Sequence, residues 1–222
     1  MAGNGREDET RTRLLEAAGE IFSCKGYQAA TVREITKLAR ANLAAIHYHF
    51  GSKDRLYQAV LEHAYREANR LYPPDMGLSP DADVRTRLYA YVRSLLLRLT
   101  DQGRHAWLTR LMAREMADPS ANLAQVVERC LAPANATLHA IVAELLGPAG
   151  DDALTVARVA QSIVGQCRHF ILDAPVLSRL YPDSDPGQGG VDALALHVTR
   201  FSLAALGCSD ARDFAPPRLE FA

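Results

Sequence analysis

Apolar residues recur at three- and four-residue intervals along almost the whole chain, and no sustained period-two run marks a half-buried strand. Leu14, Leu15, Ala18, Ile21 and Phe22 make one helical face, closed by Gly26. Thr31-Val32-Arg33-Glu34 reads as a capping box, the threonine oxygen accepting an orphan backbone N–H while the glutamate reaches back. It predicts a short helix over 32–39 with Ile35, Leu38 and Ala39 on one face. Asn42 predicts the cap of a second short helix, 43–49, whose packing face includes Leu43, Ile46 and Phe50. Gly51-Ser52 breaks it, and Ser52 caps a longer helix through Leu56, Val60, Leu61 and Ala64 to about Leu71.

Pro73-Pro74 to Pro80 is the clearest internal linker. Beyond it the pattern predicts helices at about 82–101, 104–117, 120–146, 152–172 and 190–206. Pro133 should kink or split the third of these, and Gly147-Pro148 should stop it. Pro182 to Gly190 reads as a loop, and the residues after Gly207, with Pro216-Pro217, as a loose tail. The expected fold class is all-α. A small N-terminal helical domain over 1–72 precedes a larger helical domain over 80–207 and a tail over 208–222.

Composition narrows the class. With 222 residues, 48% of them hydrophobic, the chain can bury a core without disulfides or metals, and disorder is excluded as its main state. Cys24, Cys130, Cys167 and Cys208 stand far apart with no zinc-type spacing, as expected of reduced thiols in the cytoplasm. Met1 to Glu9 is polar and acidic, unlike a secretory signal, and no run nears the roughly 18 apolar residues of a membrane span. No membrane association and no cofactor are expected. A net charge of −1 reads at first against a polyanion partner.

The N-terminal pattern changes that reading. Two short helices joined by Arg40-Ala41-Asn42, with longer helices before and after, suit a helix-turn-helix whose second short helix enters the DNA major groove. Thr12 to Leu56 resembles the DNA-binding domain of the tetracycline-repressor (TetR-type) family of transcriptional regulators. The resemblance rests on Leu15-Glu16-Ala17-Ala18, Phe22, Gly26-Tyr27, Thr31 to Ile35, and Ile46-His47-Tyr48-His49-Phe50-Gly51-Ser52-Lys53-Asp54-Arg55-Leu56. It implies DNA contacts from Thr31, Arg33, Arg40, Asn42, Leu43, Ala44, Ala45, His47, Tyr48, His49 and Lys53. Small apolar side chains at 43–45 allow contact with thymine methyls, His47, Tyr48 and His49 can donate to phosphates or base edges, and Lys53 can bind phosphate. Two departures stand out: family members commonly carry glycine where Arg40 stands and tyrosine where His47 stands. Arg40 enters the left-handed region less cheaply than glycine and adds a cation near the DNA backbone. His47 and His49, two apart on a helix, do not converge on a metal. The charge divides accordingly: residues 10–60 carry eight Lys/Arg and four Asp/Glu, a net +4, leaving −5 for the remainder.

In this family the second domain dimerises and binds an effector, and the resemblance implies the same here: a homodimer through helices 152–172 and 190–206, a palindromic operator, and an unidentified small molecule. The residues give independent support. Helix 190–206 is apolar on most sides, and Ala153, Ala157, Ala160 and Gly165 permit close packing on its neighbour. The plainer alternative is that both are core helices of a monomer. For the effector site, Trp107, Leu111, Arg114 and Glu115 on one helix, with Gln161, Arg168 and His169 on another, offer the mixture of apolar and orienting polar groups that ligand sites use. For each singly, a structural hydrogen bond or ion pair is the commoner role. Leu111 to Pro119 and Ser162 to Cys167 look similar to a branch that controls drug-efflux genes and senses antibiotics such as cephalosporins or chloramphenicol. Outside this family two classes compete: an enzyme, for which no GxSxG, P-loop, GxGxxG or HExxH motif is found, and a helical interaction module without DNA binding.

Overall fold

The computed structural model describes residues 3–101, 107–117, 119–121, 123–183, 189–208, 210–217 and 219. They form helices, with no strand among the described residues. The start of the predicted helix at 104 and residues 184–188 of the predicted loop lie outside them. Two compact units result: Met1–Arg70 with Asp101–Ala132, and Leu71–Thr100 with Pro133–Ala222.

The first unit contains α1 (Gly3–Ala29), α2 (Val32–Leu38), α3 (Leu43–Phe50), α4 (Lys53–Leu71), α6 (Trp107–Ala117) and α7 (Leu123–Val126). The predicted α1 face is buried except for Ile21, which is half-buried, and it shares a core with Ile35, Ile46, Leu56, Tyr57 and Leu61. That core also takes in Trp107, Leu111 and Val126 from beyond the proline-rich segment. The small-domain boundary expected near 72 therefore captures only part of the unit, because α6 and α7 complete it. Trp107 is seated on Gly19, where a Cβ would stand 2.6 Å from the indole ring, so the helices approach only because position 19 lacks a side chain. Leu38 and Leu43, expected to pack, are exposed instead. In helices of 7 and 8 residues the burial is carried by Ile35 and Thr36, and by Ile46 and Phe50.

The second unit contains α5 (Val84–Thr100), α8 (Ala132–Leu146), α9 (Ala153–Leu172), α10 (Ala174–Leu180) and α11 (Gly190–Ala205). Its central helix is α5, which packs on both α9 and α11 and buries Leu88, Tyr89, Ala90, Tyr91, Val92, Ser94 and Leu96 around most of its circumference. Pro133 has the disruptive effect expected of it: a π-helical turn, Val127–Leu131, separates α7 from α8 just before it. Asp152 caps α9 by accepting from Leu154 N at 3.1 Å and Thr155 N at 3.3 Å. The short α10 has no clear signal in the sequence, since Pro175 in its first turn resembles a breaker as much as a helix start.

The expected loose tail is corrected. Ala211 is buried, and Phe214 and Leu219 pack on the second core. Asp210 pairs with Arg85, and Arg200 Nε donates to Phe214 O at 3.1 Å. The proline-rich segment is ordered too: Met76 is buried and Ser94 Oγ donates to Tyr72 O at 2.8 Å.

Candidate nucleic-acid interface

The capping box forms as its residue types require. Glu34 N donates to Thr31 Oγ1 at 3.3 Å and Thr31 N donates to Glu34 Oε2 at 3.1 Å. The carboxylate also accepts from Lys25, and these donors, Lys25 foremost, hold the Glu34 carboxyl down at about 2. Ala41 N donates to Thr36 O at 2.9 Å across the turn, and Asn42 Oδ1 starts α3 by accepting from Ala44 N at 3.1 Å. Arg40 occupies the left-handed region at φ +50°, the conformation for which glycine is the usual residue. Gly51, at φ +78°, ends α3 with its N–H on the carbonyls of Ile46 and His47.

These caps present one outward face on α3. Ile46 and Phe50 point into the core while Leu43, Ala44, His47 and Tyr48 are exposed, Tyr48 at 72%. Ala45 and His49 flank them, half-buried. Thr31, Arg33, Arg40 and Asn42 are exposed as well, with Lys37 as a further exposed cation that the sequence reading did not single out. Arg11 stacks over the Phe50 ring at 5.4 Å. Lys53 is half-buried, with Nζ 3.4 Å from Gln28 O and 4.6 Å from the Tyr27 ring centre. Tyr27 in turn donates to Asp54, and burial together with that carboxylate pushes its hydroxyl up to about 12. Lys53 thus also fastens the start of α4 to the end of α1.

Of the seven residues expected to form one effector site, Trp107, Leu111, Arg114 and Glu115 belong to the first unit and Gln161, Arg168 and His169 to the second. In the first unit Trp107 and Leu111 are buried in the core. Arg114 Nη1 donates to Cys24 O at 3.0 Å, lying over Gly26, where a Cβ would meet Arg114 Nε at 2.7 Å. Gly26 itself sits at φ +78°, ψ +169°, a conformation open essentially to glycine alone. Glu115, 2% exposed, accepts from Tyr57 Oη at 2.6 Å and from Ser120 N and Oγ at 2.9 and 2.7 Å. Burial and Glu115 together push the Tyr57 hydroxyl well above its ordinary value. These groups are occupied in joining α6 to α1 and α4.

In the second unit Gln161, Arg168 and His169 line an open groove of about 370 Å³ with Val164, Gly165, Leu172 and Asp173. The groove is on the outer face of α9, because Val156, Ala160, Ile163 and Cys167 take the core side. Gln161 donates to Asn135 at 3.2 Å, and His169 Nδ1 lies 2.7 Å from Asp173 Oδ2. Burial pushes the Cys167 thiol up to about 12. Among the described residues no cluster of His, Cys, Asp and Glu is arranged to hold a metal, and no single helix is long and apolar enough to cross a membrane.

Comparison with known proteins finds two family matches, the second of which runs across the division between the units. Residues 14–60 match the family described as bacterial regulatory proteins of the tetR family, and residues 84–206 match the C-terminal domain described for the HTH-type transcriptional dual regulator CecR. Similar proteins include the HTH-type transcriptional repressor NicS of Pseudomonas putida, 41% identical over 63 residues, covering 28% of this chain and 30% of NicS. CecR of Shigella flexneri is 29% identical over 178 residues, 74% of this chain and 77% of that protein. The match to NicS, like that to SrpR of P. putida at 39%, spans well under two thirds of the relative's length. A crystal structure of a putative transcriptional regulator from Pseudomonas aeruginosa shares the fold, with a TM-score of 0.67 at 20% identity over 92% of this chain and 93% of that one.

Proposed function

This chain belongs to the TetR family of bacterial transcriptional regulators, and on that premise we propose that it is a homodimeric repressor acting in the cytoplasm, bound to a palindromic operator and released by a small-molecule effector. The observation that carries the proposal is the outward face of α3, held by the Thr31–Glu34, Asn42 and Gly51 caps and flanked by Arg33, Lys37 and Arg40. In this reading α3 enters the major groove, and the cations and Thr31, Asn42 and Lys53 set its register on phosphates.

Dimerisation uses the outer faces of α9 and α11. Leu154 and Leu172 on α9 and Phe201 on α11 are large apolar side chains left exposed, Phe201 at 59%. Gly165 on the same outer face of α9 has open space around its Cβ direction, which suits close approach of a second helix. Gln161, Arg168 and His169 then belong to the subunit interface, and the effector is held elsewhere in the CecR-type domain. A two-fold dimer places its α3 helices about 34–36 Å apart, one DNA turn.

The test is a mobility-shift titration on DNA flanking the chain's own gene across a salt series. Saturable, sequence-dependent and salt-sensitive shifting is expected, whereas salt-insensitive or absent binding refutes the reading. The effector class implied by the resemblance, antibiotics such as cephalosporins or chloramphenicol, is the first to add to the shifted complex. By reciprocity a releasing compound must bind the free protein more tightly than the DNA complex by the factor through which it weakens DNA binding. Equal affinities refute release.

A further inference from the structure

Between Leu43 and Phe50 the chain has no Arg, Lys, Asn, Gln, Asp or Glu. Those are the side chains that make the common base pairings in the major groove: Arg or Lys on guanine, Asn or Gln on adenine, Asp or Glu on cytosine. Asn42, just before the helix, uses its side-chain oxygen to cap Ala44. Base readout by α3 therefore falls to its exposed Leu43, Ala44, His47 and Tyr48.

His47 is the informative member. Its Nδ1 lies 2.9 Å from Gly51 O, the carbonyl of the residue that ends α3 at φ +78°. A carbonyl oxygen only accepts, so Nδ1 carries the proton and donates, which leaves Nε2 of the neutral ring as an acceptor. The backbone thus selects the tautomer. An acceptor in the major groove pairs with an amino group, N6 of adenine or N4 of cytosine, and not with the O6 and N7 acceptors of guanine. Leu43 and Ala44, on the same face, match the thymine methyl. An A·T pair offers the amino donor and the methyl together, whereas a C·G pair offers the amino group alone.

We infer that α3 reads an A·T-rich half-site in which His47 Nε2 accepts from an adenine N6 amino group while Leu43 and Ala44 contact thymine methyls. This rests on the proposed operator binding and names the class of base that it recognises. Gly51 is then a positioning residue, since its carbonyl fixes the tautomer without touching DNA.

The experiment selects duplexes from a randomised pool with the full chain, then edits single atoms of the selected site. Replacing the contacted adenine by purine lacking the 6-amino group should weaken wild-type binding about threefold to tenfold, the range of one net hydrogen bond. The same edit should leave His47→Phe binding unchanged, because the partner is already gone. Uracil in place of a contacted thymine should cost about twofold to fourfold per methyl. Guanine enrichment opposite α3, or an amino-group edit that costs wild type and His47→Phe equally, overturns the inference while leaving operator binding intact. A pool with no enrichment refutes operator recognition itself, and this inference with it. Matching far-UV spectra and melting temperatures for wild type and His47→Phe keep a folding defect from imitating loss of readout.

Discussion

Replacing Arg40 by glycine should make the protein more stable and a poorer DNA binder. Arg40 is held at φ +50°, where the Cβ of an L-residue costs roughly 1–2 kcal/mol. Glycine removes that strain but frees the unfolded chain, returning about 0.4–1 kcal/mol. The net expectation is a gain of about 0.5–1 kcal/mol per subunit, or about 2 °C in melting temperature for a chain of this size. The side chain is exposed, so no buried contact is lost. In the proposed dimer two cations leave the DNA interface, and the slope of log K against log salt should fall by about 1.8, at about 0.9 per phosphate contact. Arg40→Asn separates the two effects, since asparagine tolerates the left-handed region without glycine's entropy. Urea unfolding at one fixed protein concentration measures the first effect, and fluorescence anisotropy on labelled operator across a salt series the second. An Arg40→Gly protein destabilised by about 0.5 kcal/mol or more refutes the strain argument, and an unchanged salt slope refutes the phosphate contact.

Gly26→Ala combines a forbidden backbone conformation with a collision against Arg114, and equilibrium unfolding should register a loss of about 2–4 kcal/mol; a change below about 0.5 kcal/mol contradicts the geometry. Gly19→Ala pushes on Trp107, the chain's single tryptophan, so its emission should shift to the red with a loss of about 1–3 kcal/mol, and an unshifted spectrum would show that the ring has no such seat. Glu34 titrates at about 2 in the folded protein against an ordinary 4.5, so its stabilising effect is complete above 4.5 and disappears as pH falls through 2. Glu34→Gln should flatten the stability profile across that window, and parallel profiles would reject the Lys25 and Thr31 contacts as its cause. Phe201→Asp places a charge in the proposed subunit interface, and sedimentation should find monomer where wild type sediments as dimer; an intact dimer moves the interface elsewhere.

What was legible in the chain was local. The caps at Thr31, Asn42 and Ser52 are decided within three residues, and Arg55 N does donate to Ser52 Oγ at 3.2 Å. Arg40 could be singled out because the TetR-type resemblance implies glycine at that turn position. The roles of Arg114 and Glu115 were not legible, because their partners Cys24 and Tyr57 lie 90 and 58 residues away. A polar residue on an apolar helix looks the same from sequence whether it meets a ligand or a buried tyrosine. The tail failed for the same reason: Phe214 is anchored by Tyr89 and Arg200, and nothing near it in the chain announces them. For Leu38 and Leu43, a helix of two turns has too few positions for periodicity to separate the buried face from its edge.

The DNA-binding head is not one stretch of gene. Its core needs Trp107, Leu111 and Val126, which the chain supplies only after visiting the other unit. Cutting at the proline-rich segment therefore releases a fragment with Gly19 facing water where an indole should lie. Moving this unit intact into another protein would mean transplanting two separate blocks, 1–70 and 101–132, rather than a single cassette.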